Sequence, residues 1–117
     1  MATKAIIERY FDALKSGTDW QLLFSESMTF TSFSSPVKRV VGRAAFVKAT
    51  QRFYTSFTSV EVRTLIVEGD QACALTHYDL TSPSGNAFGS DVAEIFHVVD
   101  GEIDSFSIYF DTAPFPK

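Results

Sequence analysis

His77 and Asp79 stand two residues apart in an alternating run, so their side chains would share one face of a strand, about 6 to 7 Å apart along it. Imidazole titrates near neutrality, and a neighbouring carboxylate orients the ring and favours its charged form, which makes the pair a candidate proton-handling dyad. The competing reading puts both at the rim of a sheet, solvated or bonded to a loop. Glu94 is the second candidate, because it alternates with Val92, Phe96 and Val98. If that face is dry, the carboxyl must be neutral or paired, and Tyr10, Tyr54 and His77 are available partners. If it faces outward, Glu94 solvates a dimer edge. His97 has the opposite parity, and Asp111 reads as a strand-end hydrogen-bonding residue. No metal site is expected, since His77 and His97 fall on different faces and the acids do not cluster with them. Cys73 has no basic neighbour in sequence, and neither a Gly-x-Ser-x-Gly nor a phosphate-cradling Gly loop occurs. Any chemistry is therefore expected to be cofactor-free acid/base work on a bound organic molecule.

The elements that must position these groups follow from periodicity. Ile6, Ile7, Tyr10, Phe11 and Leu14 recur at spacings of three and four within Lys4 to Lys15, an amphipathic helix ended by Ser16-Gly17. Asp19 can cap a short second helix through Trp20, Leu22, Leu23 and Phe24. From Glu26 the period becomes two, predicting a strand with Met28, Phe30 and Ser32 on one face. Ser34-Ser35-Pro36 breaks it, and Val37 to Val41 form a short return arm. Phe46, Ala49, Thr50, Phe53 and Phe57 mark a third, longest helix over Arg43 to Phe57. Four strands are then predicted, at Val60–Val67, Gln71–Thr81, Ala87–Val99 and Glu102–Asp111. The final pair meets at Asp100-Gly101, a strong hairpin signal. On the last strand Phe106, Ile108 and Phe110 alternate with Ser105, Ser107 and Tyr109.

Three helices before a meander of strands predict an α+β domain, a single domain over residues 1–117, with a strongly curved antiparallel sheet wrapped by the three N-terminal helices. The hollow of such a cone-shaped half barrel is either filled by side chains or is a pocket. The parity of the run from Cys73 stays open. Either Cys73, Leu75, His77 and Asp79 point inward, or Ala72, Ala74, Thr76, Tyr78 and Leu80 do.

Composition bounds the partners. A net charge of -4 and a pI of about 5.0 lack the basic footprint of a nucleic-acid binder. No apolar run approaches the roughly 18 residues of a membrane span. Charge at Lys4, Glu8 and Arg9 interrupts the start too early for a secretory signal, and the single cysteine allows no internal disulfide, so a soluble, uncleaved cytoplasmic chain is expected. The 12 Phe exceed what a core of this size requires, and they read either as a Phe-rich core or as an aromatic-lined cavity for a small apolar ligand.

The order of elements, with Tyr10-Phe11-Asp12-Ala13-Leu14, Leu23-Phe24-Ser25-Glu26, Val41-Gly42-Arg43-Ala44-Ala45-Phe46 and the closing Tyr109-Phe110-Asp111, resembles the SnoaL-like branch of the nuclear transport factor two superfamily. The resemblance implies a cystatin-like roll. That superfamily includes ketosteroid isomerase, limonene epoxide hydrolase, polyketide cyclases and scytalone dehydratase. Tyr10 matches the isomerase's pocket tyrosine, and Glu94 its protonated acid, while Ser32 replaces its general-base aspartate. His77-Tyr78-Asp79 stands where the hydrolase has Arg-x-Asp if the loop is two residues shorter, or His77 itself takes the Asp position if there is no gap, and Ile108 replaces its second aspartate.

Together these readings give two expectations. One is an isomerase or cyclase acting on an apolar carbonyl compound, polyketide-like or steroid-like. In it His77 or Asp79 is the base, and Tyr10 or Glu94 stabilises an enolate. Ser32, Phe11, Trp20, Phe24, Met28, Phe30, Phe46, Phe53, Phe96, Phe106, Ile108 and Phe110 line its pocket. The other is a non-catalytic ligand-binding or dimerisation module of the same fold. Both carry a homodimer through the outer sheet face, with Ile95, His97, Val99 and Tyr109 as a self-complementary patch.

Overall fold

The computed structural model describes residues 2–36 and 38–115. The first helix, α1 (Thr3–Ser16), buries the stripe expected of it, Ile6, Ile7, Tyr10, Phe11 and Leu14. Gly17 ends it at φ 69°, a left-handed conformation that glycine adopts without a side-chain penalty. The second predicted helix is a single 3₁₀ turn, Trp20–Leu23, because only four residues separate Asp19 from the first strand. The helix α2 (Arg43–Ser56) runs directly into a strand that begins at Phe57, three residues before the predicted one. Of its side chains only Phe46 is fully buried, so most of α2 is a cover over the sheet.

Six strands form one sheet: β1 (Phe24–Ser32), β2 (Arg39–Val41), β3 (Phe57–Glu68), β4 (Gln71–Thr81), β5 (Ala87–Val99) and β6 (Glu102–Phe110). Their order is β2-β1-β6-β5-β4-β3. The meander from β3 to β6 is antiparallel, as predicted, and its last turn has positive φ at both Asp100 (50°) and Gly101 (81°). The return arm β2 pairs with β1 through Phe30 and Val40, while Val37 lies outside the described residues.

Two parts of the architecture differ from expectation. The sheet is mixed, because β1 lies parallel to β6, with Phe30 opposite Phe106 and Ser32 opposite Ile108. Hairpin logic pairs strands that are neighbours in sequence, and this pairing joins the first long strand to the last. The sheet is also not strongly curled, and two α-helices and one 3₁₀ turn stand where three helices and a half barrel were expected.

The inner face of the sheet is apolar and aromatic. Tyr10 sits edge-on to Phe24, Phe96 and Phe106, with centroids 5.4, 5.6 and 6.1 Å away. Phe96 and Phe106 stack on each other at 4.9 Å across the β5–β6 pair. Each such ring contributes about 1.5–3 kcal/mol through burial alone. This packed cluster holds α1 in place, and Phe46 of α2 joins it on Phe24 and Phe106 at 5.0 and 5.9 Å, while the rest of α2 covers the sheet.

Candidate functional site

Alternation along β4 settles which residues face inward. Ala72, Ala74, Thr76, Tyr78 and Leu80 are buried, and Gln71, Leu75, Asp79 and Thr81 are exposed between them. On β5 the inward set contains Ser90, Val92, Glu94, Phe96 and Val98. A cavity of about 740 Å³ lies between these faces and α2, with Phe53, Leu80, Phe88, Ile108 and Phe110 among its apolar walls. Among the described residues, its only charged lining residues are Glu94 and Arg52. Phe115 packs on Phe88 and Phe110 at 5.0 and 5.2 Å and closes one side.

Glu94 is 2% exposed, and two hydroxyls hold it. Thr76 Oγ1 donates to Oε2 at 2.7 Å, and the Tyr78 hydroxyl lies 3.1 and 3.0 Å from the two carboxyl oxygens. Tyr78 is fixed in turn by edge-on contacts with Phe53 and Phe57. Burial raises the Glu94 pKa from 4.5 to about 7, with the Thr76 and Tyr78 hydrogen bonds working against the rise. Near pH 7 both of its protonation states are populated, the condition under which a carboxyl gives and takes protons most readily. Burial pushes the Tyr78 phenol well above its ordinary range, and the Glu94 charge adds to that, so Tyr78 is a neutral hydrogen-bond donor.

A second hydroxyl pair lies beside this site. Tyr10 and Tyr54 are joined at 2.6 Å, and Tyr54 also stacks on Trp20 at 3.9 Å. Tyr54 borders the cavity, whereas Tyr10 lies behind it in the core. Ser32 lines the cavity and shares a 2.6 Å hydrogen bond with Ser35. Ser90 also lines it, and its buried Oγ has no partner among the described residues.

His77 and Asp79 are together, but on the opposite face of the sheet. His77 Nδ1 is 2.7 Å from Asp91 Oδ1 and Nε2 is 3.2 Å from Asp79 Oδ1, while Ser59 donates to Asp79 Oδ2 at 2.6 Å. Arg63 reaches Asp91 at 3.3 Å. The ring lies across Gly89, where an added Cβ would come within 2.6 Å of Cε1. The hydrogen bond to Asp91, supported by Asp79, raises the His77 pKa above its usual value, and the bond to His77 lowers that of Asp91. This cluster cannot reach a molecule in the cavity, because the sheet lies between them. The expectation of a base at His77 or Asp79 is corrected accordingly. The parity that places Thr76 and Tyr78 inward necessarily turns those two side chains out.

The other expected lining residues divide in two. Ser32, Phe30, Phe53, Phe106, Ile108 and Phe110 border the cavity. Phe11, Phe24, Met28, Phe46 and Phe96 are buried in the packed core, and Trp20 packs against it, none of them bordering the cavity. Tyr78, Thr76 and Ser90 were not among the expected site residues. Tyr78 and Thr76 belong to the second of the two possible inward sets of β4, so parity was the signal that could have found them.

The sequence profile of the SnoaL-like domain matches residues 7–106. The chain belongs to the SnoaL-like family. No curated protein matches the sequence. Among solved structures, the SnoaL-like chain is similar to an NTF2-like protein from Burkholderia thailandensis E264, at TM-score 0.83 and 16% identity over 97% of this chain and 94% of that one. It is similar to SalBIII, an epoxide hydrolase/cyclase-like enzyme of pyran ring formation in the polyether salinomycin, at 0.81 and 20% over 96% and 92%. It is also similar to a chain from Jannaschia sp. CCS1, provisionally named as a SnoaL-like polyketide cyclase, at 0.80 and 18% over 98% and 93%. At these identities the likeness is one of fold. No helix among the described residues of this SnoaL-like domain is long and apolar enough to cross a membrane.

Proposed function

We propose that this SnoaL-like domain is an acid/base enzyme, an isomerase or cyclase, acting on an apolar carbonyl compound bound in the 740 Å³ cavity. The observation that carries the reading is the Glu94 carboxyl, buried in the cavity wall, braced by Thr76 and Tyr78, and poised at about pKa 7. Ionised, it takes a proton from the carbon beside the substrate carbonyl. Protonated by that step, it returns the proton to a second atom of the enolate. Aromatic walls favour a ring-bearing or polyketide-like body over a small hydrophilic one. Arg52 at the wall suits a substrate carrying an acidic group.

The deciding experiment is hydrogen–deuterium exchange at the carbon beside the carbonyl of 2-indanone and 2-tetralone, with wild type and Glu94→Gln. The expected outcome is exchange above the buffer rate in wild type, reduced by about 10²–10⁴-fold in the variant. Equal rates for wild type, variant and buffer overturn the enzyme reading.

A second reading is favoured by one feature: among the described residues Glu94 is the only carboxylate that borders the cavity, with no second acid opposite it. Under it the domain binds its ligand without transforming it. Binding of these ketones with no exchange would support that alternative.

The proposal extends to assembly and setting. Ile95, Val99 and Tyr109 are 40%, 40% and 49% exposed on the outer sheet face, an arrangement suited to a homodimer through that face. Sedimentation of wild type and Ile95→Asp tests it, the variant sedimenting as a monomer if the face is the interface. The unpaired, half-buried Cys73 suits a reducing cytoplasmic setting.

A further inference from the structure

Ser90 is 1% exposed, borders the cavity, and leaves its hydroxyl without a hydrogen-bond partner among the described residues. Buried polar side chains are almost always paired, and the other buried serines and threonines here follow that rule. Thr76 bonds Glu94, Ser32 bonds Ser35, and Ser82 is held within its own turn by Ser84 and Asn86. The residue opposite Ser90 in register is Tyr78, but its phenol is committed to Glu94. Gln21 Oε1 is also unpartnered, and it does not border this cavity.

The position of Ser90 supplies the rest of the argument. Ser90, Val92 and Glu94 are successive inward residues of β5, and all three border the cavity. The cavity wall therefore reads polar, apolar, polar along one strand. Ser90 and Glu94 are two pleats apart, about 13 Å along the chain. The Glu94 carboxyl bonds Thr76 and Tyr78, whose register partners are Val92 and Ser90, so it leans toward Ser90 and shortens that span.

We infer that Ser90 is a specificity-determining residue, whose hydroxyl hydrogen-bonds a second oxygen function of an elongated apolar substrate while the reacting carbonyl sits at Glu94. The inference rests on the reading of the cavity as a ligand site. It narrows the substrate class to compounds with oxygen functions at two separated points and an apolar body between them, over Val92. A serine hydroxyl both donates and accepts, so the second function is a hydroxyl or a carbonyl.

The test uses two rod-shaped probes, biphenyl-4,4′-diol and 4-phenylphenol, which differ by one terminal hydroxyl. Titration calorimetry with wild type is expected to show the diol binding roughly fivefold to tenfold more tightly. Ser90→Ala is expected to abolish that preference by weakening the diol alone. The free variant should also melt a few degrees above wild type, since an unpaired buried hydroxyl has been removed. A variant that keeps the preference for the diol, or that melts below wild type, overturns the assignment of Ser90. So does a wild type that binds both probes equally. Absence of binding by either probe instead overturns the cavity reading, and this inference with it.

Discussion

Tyr78 holds Glu94 from the neighbouring strand, its phenol oxygen 3.1 and 3.0 Å from the two carboxyl oxygens. The two residues are not register partners, since Tyr78 faces Ser90 and Glu94 faces Ala74. The contact is diagonal, and it exists because a long phenol and a long carboxyl lean toward each other along the inner face. One strand thus supplies the titrating group and the next supplies its hydrogen-bond donor.

Stability should fall as the carboxyl ionises. Glu94 titrates at about 7 in the fold against 4.5 ordinarily, so the fold favours its neutral form. That contribution is complete below about pH 4.5 and is lost as pH rises through about 7, a difference of about 3 kcal/mol. Glu94→Gln cannot ionise and should not show this loss. Denaturant unfolding at pH 5 and pH 8 is expected to show the variant gaining on wild type at the higher pH by about that amount.

Activity should follow the same titration from the other side. A base must be ionised, so exchange catalysed by wild type is expected to rise with pH and level off above an inflection near 7. Tyr78→Phe removes a hydrogen bond that favours the charged carboxyl, so the inflection should move to higher pH. An inflection that stays put in the variant would separate Tyr78 from the titrating group.

The Tyr10–Tyr54 hydroxyl pair predicts non-additive mutations. Removing either hydroxyl leaves its 2.6 Å partner buried and unpaired, at a cost of about 1–3 kcal/mol. Removing both leaves nothing unpaired. Unfolding of Tyr10→Phe, Tyr54→Phe and the double variant should show the double change costing less than the sum of the two single ones.

Gly89 predicts a behaviour of the outer face. A methyl group there would come within 2.6 Å of His77 Cε1 and 2.7 Å of Nε2, so Gly89→Ala must push the ring off its carboxylates. The bonds to Asp91 and Asp79 raise the His77 pKa, and their loss should bring it back toward 6.5. The folded protein gains stability from this cluster between the lowered carboxylate pKa values and the raised His77 pKa, losing it as pH rises through the His77 value or falls through those of Asp79 and Asp91. An NMR titration of the His77 ring in wild type and Gly89→Ala measures the shift.

Periodicity made most of the architecture legible. The α1 stripe from Ile6 to Leu14, its Gly17 end and the Asp100-Gly101 turn are local signals, and the structure has all three where they were read. The parallel docking of β1 on β6 has no local signal, because it is decided by how Phe30 and Phe106 meet across the core. The candidate site was legible at Glu94, whose apolar flanks announced a carboxyl among buried groups. His77 and Asp79 misled because a strand shows its alternation without showing which face is dry. Five of the nine aromatic residues assigned to a pocket pack in or against the core instead, since sequence records ring content but not whether rings meet one another or a void.

The parallel pairing of β1 with β6 bears on how the chain acquires its structure. Phe24 finds Ile103, and Tyr10 finds Phe96 and Phe106, only after the chain has been made through β6. A chain emerging from its N-terminus can cover β1 with α2 early, through Phe46 on Phe24 and Phe30, but completes the packing of Tyr10 and Phe30 only when the last hairpin closes. Such long-range closure delays the reward for chain ordering and places folding on the slower scale of sheet-rich domains. Interrupting the chain before Phe106 removes the ring on which Tyr10 and Phe30 pack, and such a truncated product is expected to aggregate.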